Sequence, residues 1–481
     1  MSFKTSELSD VEVYETSRSG NRLSKLNLKN NTEANNIPTI SLQPNIQFQE
    51  ILGFGGAFTQ ASAYLYKQLS PKNQSMIMQD YFGEEGSNYS FTRTHMGSCD
   101  FSTENYSYSE VPNDIDLSHF SIKRDMDELI PMIKDAQDIS KSGFKIISSA
   151  WTAPTWMKDN NHLIDGRLKD EYREVWAKYF SKYTHAYKKE GIDIWGFTVI
   201  NEPHGNGSNW ESMLFTPQEM NTFVKNFLGP ELANEGLGYI KILGYDQNRM
   251  ELPLWVDEFY KDAPNEYIDG LAIHWYDSTD NSFTKELKYA HHQAPNKLLI
   301  QTEACIDSQI PSTNDDWYWQ IDATDWGYHW RNEEMKYLHP KYAPVSRYTK
   351  DIINCMNNWV NGWIDWNLIL DFDGGPNWAE NWCGAPILVD VLSQTVYKTP
   401  IYYVLKHFSK YVLPGSYRIG FENDTDLLVT AFKNNDNSIV VIVFNENKNS
   451  SKFKLNLKNR FKEVTIDGES IQTIIFRDKN D

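Results

Sequence analysis

The chain has 481 residues, of which 65 are acidic and 46 basic, for a formal net charge of −19. That balance works against nucleic-acid binding, which needs Lys and Arg to displace counterions from phosphates; a content of 40% hydrophobic and 14% aromatic residues excludes disorder. No apolar run is long enough to cross a bilayer, and the length fits two or three ordinary domains or one large α/β barrel with an appendage.

In chain order, the first residues, Met1–Asp10, lack the basic-then-apolar order of a signal peptide. A cytoplasmic protein is therefore expected, with a secreted protein whose leader has been removed as the alternative. Short segments at Val11–Tyr14 and Thr39–Leu42 read as strands. From residue 46 to 398, short apolar runs alternate with longer amphipathic ones. Eight strands are predicted, at Glu50–Gly53, Tyr89–Thr94, Lys145–Ala150, Trp195–Ile200, Ile240–Tyr245, Gly270–Trp275, Lys297–Thr302 and Gly362–Trp366. Between them lie helical spacings such as Leu168–Glu190, which places Tyr172, Val175, Trp176, Tyr179 and Tyr183 on one side. Strand–helix alternation repeated eight times is the pattern of an α/β fold of the (β/α)8 TIM-barrel kind. An open doubly wound sheet is the alternative, since periodicity does not prove closure. Beyond residue 399, Leu427–Phe432 and Ile439–Phe444 flank an Asn/Asp-rich turn as a hairpin, and Lys452–Leu457 and Ser470–Phe476 alternate with period two. An all-β sandwich over residues 399–481 is expected, with residues 1–45 adding strands because chain ends often lie close together.

A TIM barrel gathers reactive side chains at the C-terminal ends of its strands. The residues there are Arg93 and then Asp100 after strand two, Trp151 after strand three, Asn201 and Glu202 after strand four, and Asp246 after strand five. Strand six ends in His274, Trp275 and Tyr276, strand seven in Glu303, and strand eight in Asp365, Trp366 and Asn367. Glu202 and Glu303, on strands four and seven, face each other across such a barrel. Two opposed carboxyls suit glycoside hydrolysis, in which one protonates the departing oxygen while the other attacks the anomeric carbon or activates water. Arg93 and Tyr276 are placed to keep Glu303 ionised, and flat aromatic rings suit the C–H face of a sugar.

The motifs Gly53-Phe-Gly-Gly-Ala-Phe58, Cys99-Asp-Phe-Ser102, Trp151-Thr-Ala-Pro-Thr-Trp156, Asn201-Glu-Pro203, His274-Trp-Tyr276, Thr302-Glu-Ala-Cys305, Trp363-Ile-Asp-Trp-Asn367, Gly374-Gly-Pro-Asn-Trp378 and Lys406-His-Phe-Ser409 occur in one order from about residue 50 onward. As an ordered set they resemble glycoside hydrolase family 30, in its glucosylceramidase branch. The resemblance implies a (β/α)8 barrel with a β-sandwich and a retaining double displacement, with Glu202 as acid/base and Glu303 as nucleophile. It further implies that Asn201 binds the 2-hydroxyl, that Asp100, Trp151 and Trp366 hold the others, and that Asn377 lies near the mouth of the site.

Each residue also has a structural reading. Glu202 alone would suit a helix N-terminus, Trp151 and Trp366 alone would be core, and Arg93 would neutralise a buried acid. His274 reads as a hydrogen-bonded orienter, with no second His or Cys at ligand spacing. Trp210 and Phe215 line the leaving-group side or simply pack. Gly53–Phe58 begins like a dinucleotide fingerprint, but Phe58 occupies the third glycine position; a tight turn at the end of the first strand is expected instead. Asp371–Gly374 begins like a calcium loop without its closing Glu. The four cysteines, Cys99, Cys305, Cys355 and Cys383, form no CxxC pair and read as reduced thiols. No cofactor and no obligatory metal are expected.

A long segment over 307–345, carrying Asn314–Gln320 and Asp325–Trp330, exceeds its counterpart in the lysosomal enzymes. It should overhang the site, either narrowing the mouth or packing on a neighbouring loop or subunit, and it puts ceramide recognition in doubt. The expected partner is a β-glucoside or gluco-oligosaccharide; a monomer and a homo-oligomer are both compatible with the sequence. An endo-β-1,6-glucanase or β-xylosidase competes within the family, and a non-catalytic carbohydrate-binding protein competes from another class.

Overall fold

In a computed structural model describing residues 6–7, 10–28, 37–207, 209–278, 281–306, 342–381 and 383–477, eight parallel strands close into a barrel. They are β1 (Gly53–Phe58), β2 (Phe91–Met96), β3 (Lys145–Ala150), β4 (Gly196–Thr198), β5 (Lys241–Asn248), β6 (Gly270–His274), β7 (Leu298–Glu303) and β8 (Gly362–Asn367). Each pairs with its neighbours in sequence and β8 returns to β1, so the open-sheet alternative falls. Phe91, Ile147, Leu243, Ala272, Ile300 and Ile364, from six different strands, fill the interior with one apolar cluster. Outside, helix Arg173–Lys189 turns Val175, Trp176, Tyr179, Phe180 and Tyr183 inward, the face its 3.6-residue spacing predicts.

Two expectations need correction. The first barrel strand is the glycine motif itself, not a segment ending in a turn there. A Cβ at Gly55 would stand 1.9 Å from the Phe91 carbonyl oxygen, so glycine is what lets β1 approach β2. Glu50, expected in that strand, ends the long strand Thr39–Glu50 of the other sheet. Helix Pro400–Ser409, just past the boundary expected at 398, places Ile401, Val404, Leu405 and Phe408 in a core cluster that the barrel shares with Phe432, Val440, Ile442, Phe444 and Ile471 of the second domain.

The second domain is a sheet of ten strands, in the order Ser6–Glu7, Arg460–Ile466, Ser451–Leu457, Thr39–Glu50, Tyr417–Asn423, Leu428–Lys433, Ile439–Asn445, Ser470–Phe476, Val11–Ser17 and Ser24–Leu26. The expected hairpin is the antiparallel pair Leu428–Lys433 and Ile439–Asn445. Val13, Leu42, Val429, Val441, Phe453 and Val464 share one apolar cluster although their strands are spread along the order, so the sheet folds over on itself into a sandwich. A buried polar joint ties the sandwich to the barrel. His407, on helix Pro400–Ser409, bonds Thr473 Oγ1 through Nδ1 at 2.8 Å and Thr16 Oγ1 through Nε2 at 2.9 Å. The 307–345 segment lies, up to residue 341, outside the described residues.

Candidate active site

Three bulges shape the C-terminal rim of the barrel. Pairing of β6 with β5 skips Asp246, pairing of β6 with β7 skips Thr302, and pairing of β8 with β1 skips Trp366. A bulge breaks the strict in–out alternation of a strand and re-aims its side chains. At β5 the cause is visible: Tyr245 and Asp246 are consecutive left-handed residues, with φ of 74° and 63°. The Asp246 carboxylate thereby becomes the hub of the rim. It accepts from Arg93 Nη2 at 2.7 Å, Thr198 Oγ1 at 2.6 Å, Thr302 Oγ1 at 2.7 Å and His274 Nε2 at 3.1 Å.

Arg93, completely buried, rises from β2 beneath the rings of Trp151 and Trp366, with its guanidinium carbon 4.9 and 5.6 Å from their centroids. It also donates to Ser149 Oγ at 2.9 Å, to Asn201 Oδ1 at 2.8 Å, and to Glu303 Oε2. The other Glu303 oxygen accepts from the Tyr276 hydroxyl at 3.1 Å. Glu202 has a left-handed backbone, φ 47°, which a residue with a Cβ adopts only when its surroundings impose it. Its amide donates to Asp246 O at 3.0 Å, and its Oε1 lies 3.2 Å from His274 Nδ1. The helix-cap reading of Glu202 fails, because the next α-helix among the described residues begins at Pro217.

Burial alone would raise the Asp246 carboxyl, but Arg93 and His274 hold it well below the usual carboxylate range. Burial alone would lower His274, but Glu303 and Asp246 raise it to about 9, so near neutrality the ring is a cation donating from both nitrogens. Glu303 is raised, by burial first, while His274 and Arg93 pull it down; the donors on both its oxygens favour the ionised form. Asp100 is raised, by burial and then by the charge of Glu303. Of the three carboxyls around the two cations, Glu202 is the most open, its side chain 16% exposed against 9% for Glu303 and 1% for Asp246.

Ligand atoms of Glu202, His274 and Glu303 all lie within 4.8 Å of one another, a spacing that also admits a metal ion. In this arrangement His274 is engaged on both sides, Nδ1 with Glu202 Oε1 and Nε2 with Asp246 Oδ1.

Above these groups opens a cavity of about 740 Å³, its mouth included, lined by Asp100, Trp151, Asn201, Glu202, Trp210, Tyr276, Glu303 and Trp366 among the residues expected there. Arg93 and His274 stand behind the wall, bonded to residues that form it. Asn377 is the exception. Its side chain bonds the backbone nitrogen and oxygen of Asn381, and Asn381 lines the cavity in its place. Asn381 Nδ2 donates to Asp100 Oδ2 at 3.1 Å, leaving Asp100 Oδ1 and Asn381 Oδ1 without a hydrogen-bond partner among the described residues. Two buried acceptors side by side on a cavity wall match adjacent sugar hydroxyls. Sequence reasoning also missed Asn206, Asn248, Cys305 and Cys383 on the lining. Asn248 was within reach of the strand-end rule, since it is the last residue of β5.

Residues 51–412 match the glycosyl hydrolase family 30 TIM-barrel domain and residues 415–474 the family 30 beta sandwich domain. The chain is 34% identical to putative glucosylceramidase 4 of Caenorhabditis elegans, over 97% of this chain and 88% of that protein. It is also 34% identical to the lysosomal acid glucosylceramidase of Mus musculus, over 96% and 88%. Among solved structures, SrfJ from Salmonella typhimurium superposes with a TM-score of 0.86 at 26% identity, covering 98% of this chain and all of that one. The endo-β1,6-glucanase BT3312 superposes with a TM-score of 0.82 at 28% identity, with the same coverage. Matched along both domains and by relatives above 30% identity over nearly its whole length, the chain belongs to glycosyl hydrolase family 30.

Proposed function

We propose that this chain is a retaining, exo-acting β-D-glucosidase of the glucosylceramidase type, with Glu303 as nucleophile and Glu202 as acid/base. The carrying observation is the approach of the two carboxyls: one oxygen of Glu202 and one of Glu303 lie within 4.8 Å of each other. Retaining enzymes hold their carboxyls about 5–5.5 Å apart, whereas inverting ones need roughly 6.5–9.5 Å to seat a water between them.

In the first step Glu303, free to attack with the oxygen that Tyr276 steadies, bonds to the anomeric carbon while Glu202 gives its proton to the leaving oxygen. Arg93 and Tyr276 share the nucleophile's charge before attack and release it as the ester forms. In the second step Glu202, now a base, takes a proton from water, and the water displaces Glu303. His274 Nδ1, 3.2 Å from Glu202 Oε1, orients that carboxyl through both steps. Asn201, held by Arg93, faces the 2-hydroxyl, and Asp100 with Asn381 accepts from the hydroxyls on the far side of the ring.

Replacing Glu303 with Gly and adding azide tests the assignment. An α-glucosyl azide is expected, because a small anion then enters from the vacated face; absence of azide-dependent turnover with any activated β-glucoside overturns it. Glu202→Ala with azide should give the β-azide instead.

The likeness in fold and sequence to an endo-β1,6-glucanase supports a second reading, cleavage within β-1,6-glucan. Hydrolysis of aryl β-glucoside and glucosylceramide but not of long β-1,6-glucan selects the first reading, and the reverse selects the second.

A further inference from the structure

Two thiols meet in the wall of the same cavity. Cys305 Sγ lies 3.2 Å from Cys383 Sγ, and both side chains are buried yet line the space assigned to the sugar. Cys305 is two residues beyond Glu303 at the end of β7, and Cys383 stands two residues after Asn381, between the short strands Ile369–Asp371 and Ile387–Asp390 that follow β8. The two backbones are already joined there, Gly384 N donating to Ile306 O at 2.8 Å, and Cys383 is held within its own loop by its N donating to Gly374 O at 3.2 Å. Cys305 Sγ also lies 3.4 Å from the Tyr276 hydroxyl, the group that donates to Glu303 Oε1. The pair therefore touches both the support of the proposed nucleophile and the loop that carries a sugar-facing amide.

We propose that Cys305 and Cys383 form a reversible dithiol site that a peroxide converts to a disulfide, lowering hydrolysis until a thiol reductant restores it. A peroxide oxygen is transferred to one sulfur, giving a sulfenic acid and one water from hydrogen peroxide; the second thiol then attacks that sulfur, the S–S bond forms, and the hydroxyl leaves with the second thiol's proton as another water. Two electrons leave the sulfurs and reduce the O–O bond. A disulfide needs about 2.05 Å between sulfurs, so the pair must close by about 1 Å from its 3.2 Å separation. That movement draws Cys305 from its place against Tyr276, and misplacing a catalytic group by about 1 Å can cost on the order of 10²-fold in rate. Paired, nearby thiols resolve a sulfenic acid before further oxidation, which is what makes such a site reversible. The consequence for activity rests on the glycosidase reading; formation of the bond does not.

The test treats the intact protein with hydrogen peroxide and reads two quantities together. Peptide mapping without reductant should show Cys305 linked to Cys383 with the loss of two hydrogens. Over the same titration kcat/KM on an aryl β-glucoside should fall in proportion to the linked fraction, by about tenfold to a hundredfold at completion. Dithiothreitol should restore both, and saturating glucose should slow linkage by blocking the path to the sulfurs. In Cys383→Val and Cys305→Val the linked peptide should vanish, and in one of them the persisting sulfenic acid should be trapped by dimedone. No linked peptide in the parent protein overturns the site. Full linkage with unchanged kcat/KM overturns its control of hydrolysis. A protein inactive on every glycoside before treatment would defeat the glycosidase reading, while the peptide map would still decide the dithiol.

Discussion

Arg93 gathers Ser149, Asn201, Asp246 and Glu303 around one guanidinium in a place without solvent. A lysine there keeps the charge but cannot fork to four acceptors. Arg93→Lys should lower kcat on an aryl β-glucoside by about 10²- to 10³-fold, the loss expected when a preorganised donor is removed, with the far-ultraviolet circular dichroism unchanged. His274 gives a second prediction. Its value of about 9 in the folded protein stands above an unfolded value near 6.5. The stability it supplies is therefore complete below pH about 6.5 and is lost as pH rises through about 9, a swing of the order of 3 kcal/mol. Denaturant midpoints should fall across that window in the parent and much less in His274→Gln. At this scale the place of a side chain was readable where it sat at or just past a strand end, as for Glu202 and Glu303 on the cavity wall and Arg93 behind it. It was not readable where two amides shared a loop. Asn377 and Asn381 are four positions apart, and only the folded backbone decides which faces the cavity and which braces it.

The elements depart from ideal form where function needs them to. Without its bulge, β5 would place Asp246 in ordinary alternation and not at the meeting point of β2, β4, β6 and β7. No residue pattern announces such a bulge, because Tyr245 and Asp246 adopt their left-handed backbone without a glycine. The glycines misled in the opposite sense: Gly53-Phe-Gly-Gly reads as a turn by composition, yet close approach of neighbouring backbones is what requires the small residues. Gly55→Ala should accordingly destabilise severely, by several kcal/mol, because the new methyl meets backbone that cannot step aside. Gly143→Ala, at φ 70° with nothing within 4 Å of the added Cβ, should cost only about 1 kcal/mol of backbone strain. Thermal unfolding of the two variants side by side measures the difference between crowding and conformation.

Across the whole molecule, barrel and sandwich are joined by buried contacts that include a neutral imidazole. Burial lowers His407 to about 3, whereas the unfolded chain would protonate it near 6.5. Stability is thus retained above pH about 6.5 and falls as pH drops toward 3, by up to about 1.4 kcal/mol per unit from this group alone. His407→Gln, which keeps a donor and an acceptor for Thr16 and Thr473, should flatten the acid side of the stability profile without altering the alkaline side. The barrel was legible because its strand–helix rhythm repeats. The part played by helix Pro400–Ser409 was not, since nothing in its pattern says that one apolar cluster takes it in with both domains. Most of the charge of −19 lies outside the site and acts as solvating surface.

The sheet order carries a consequence for how the chain is made. Val11 pairs with Phe476, and Val11–Ser17 lies between Ser470–Phe476 and Ser24–Leu26. At about 5–20 residues per second of synthesis, an early strand must wait roughly half a minute to a minute and a half for its partner to leave the ribosome. Through that interval the barrel sequence emerges and collapses while residues 11–17 present an unsatisfied edge, the kind of surface that chaperones hold and that pairs wrongly with other nascent chains. Ser470–Phe476 is therefore the strand that releases Val11–Ser17 from risk.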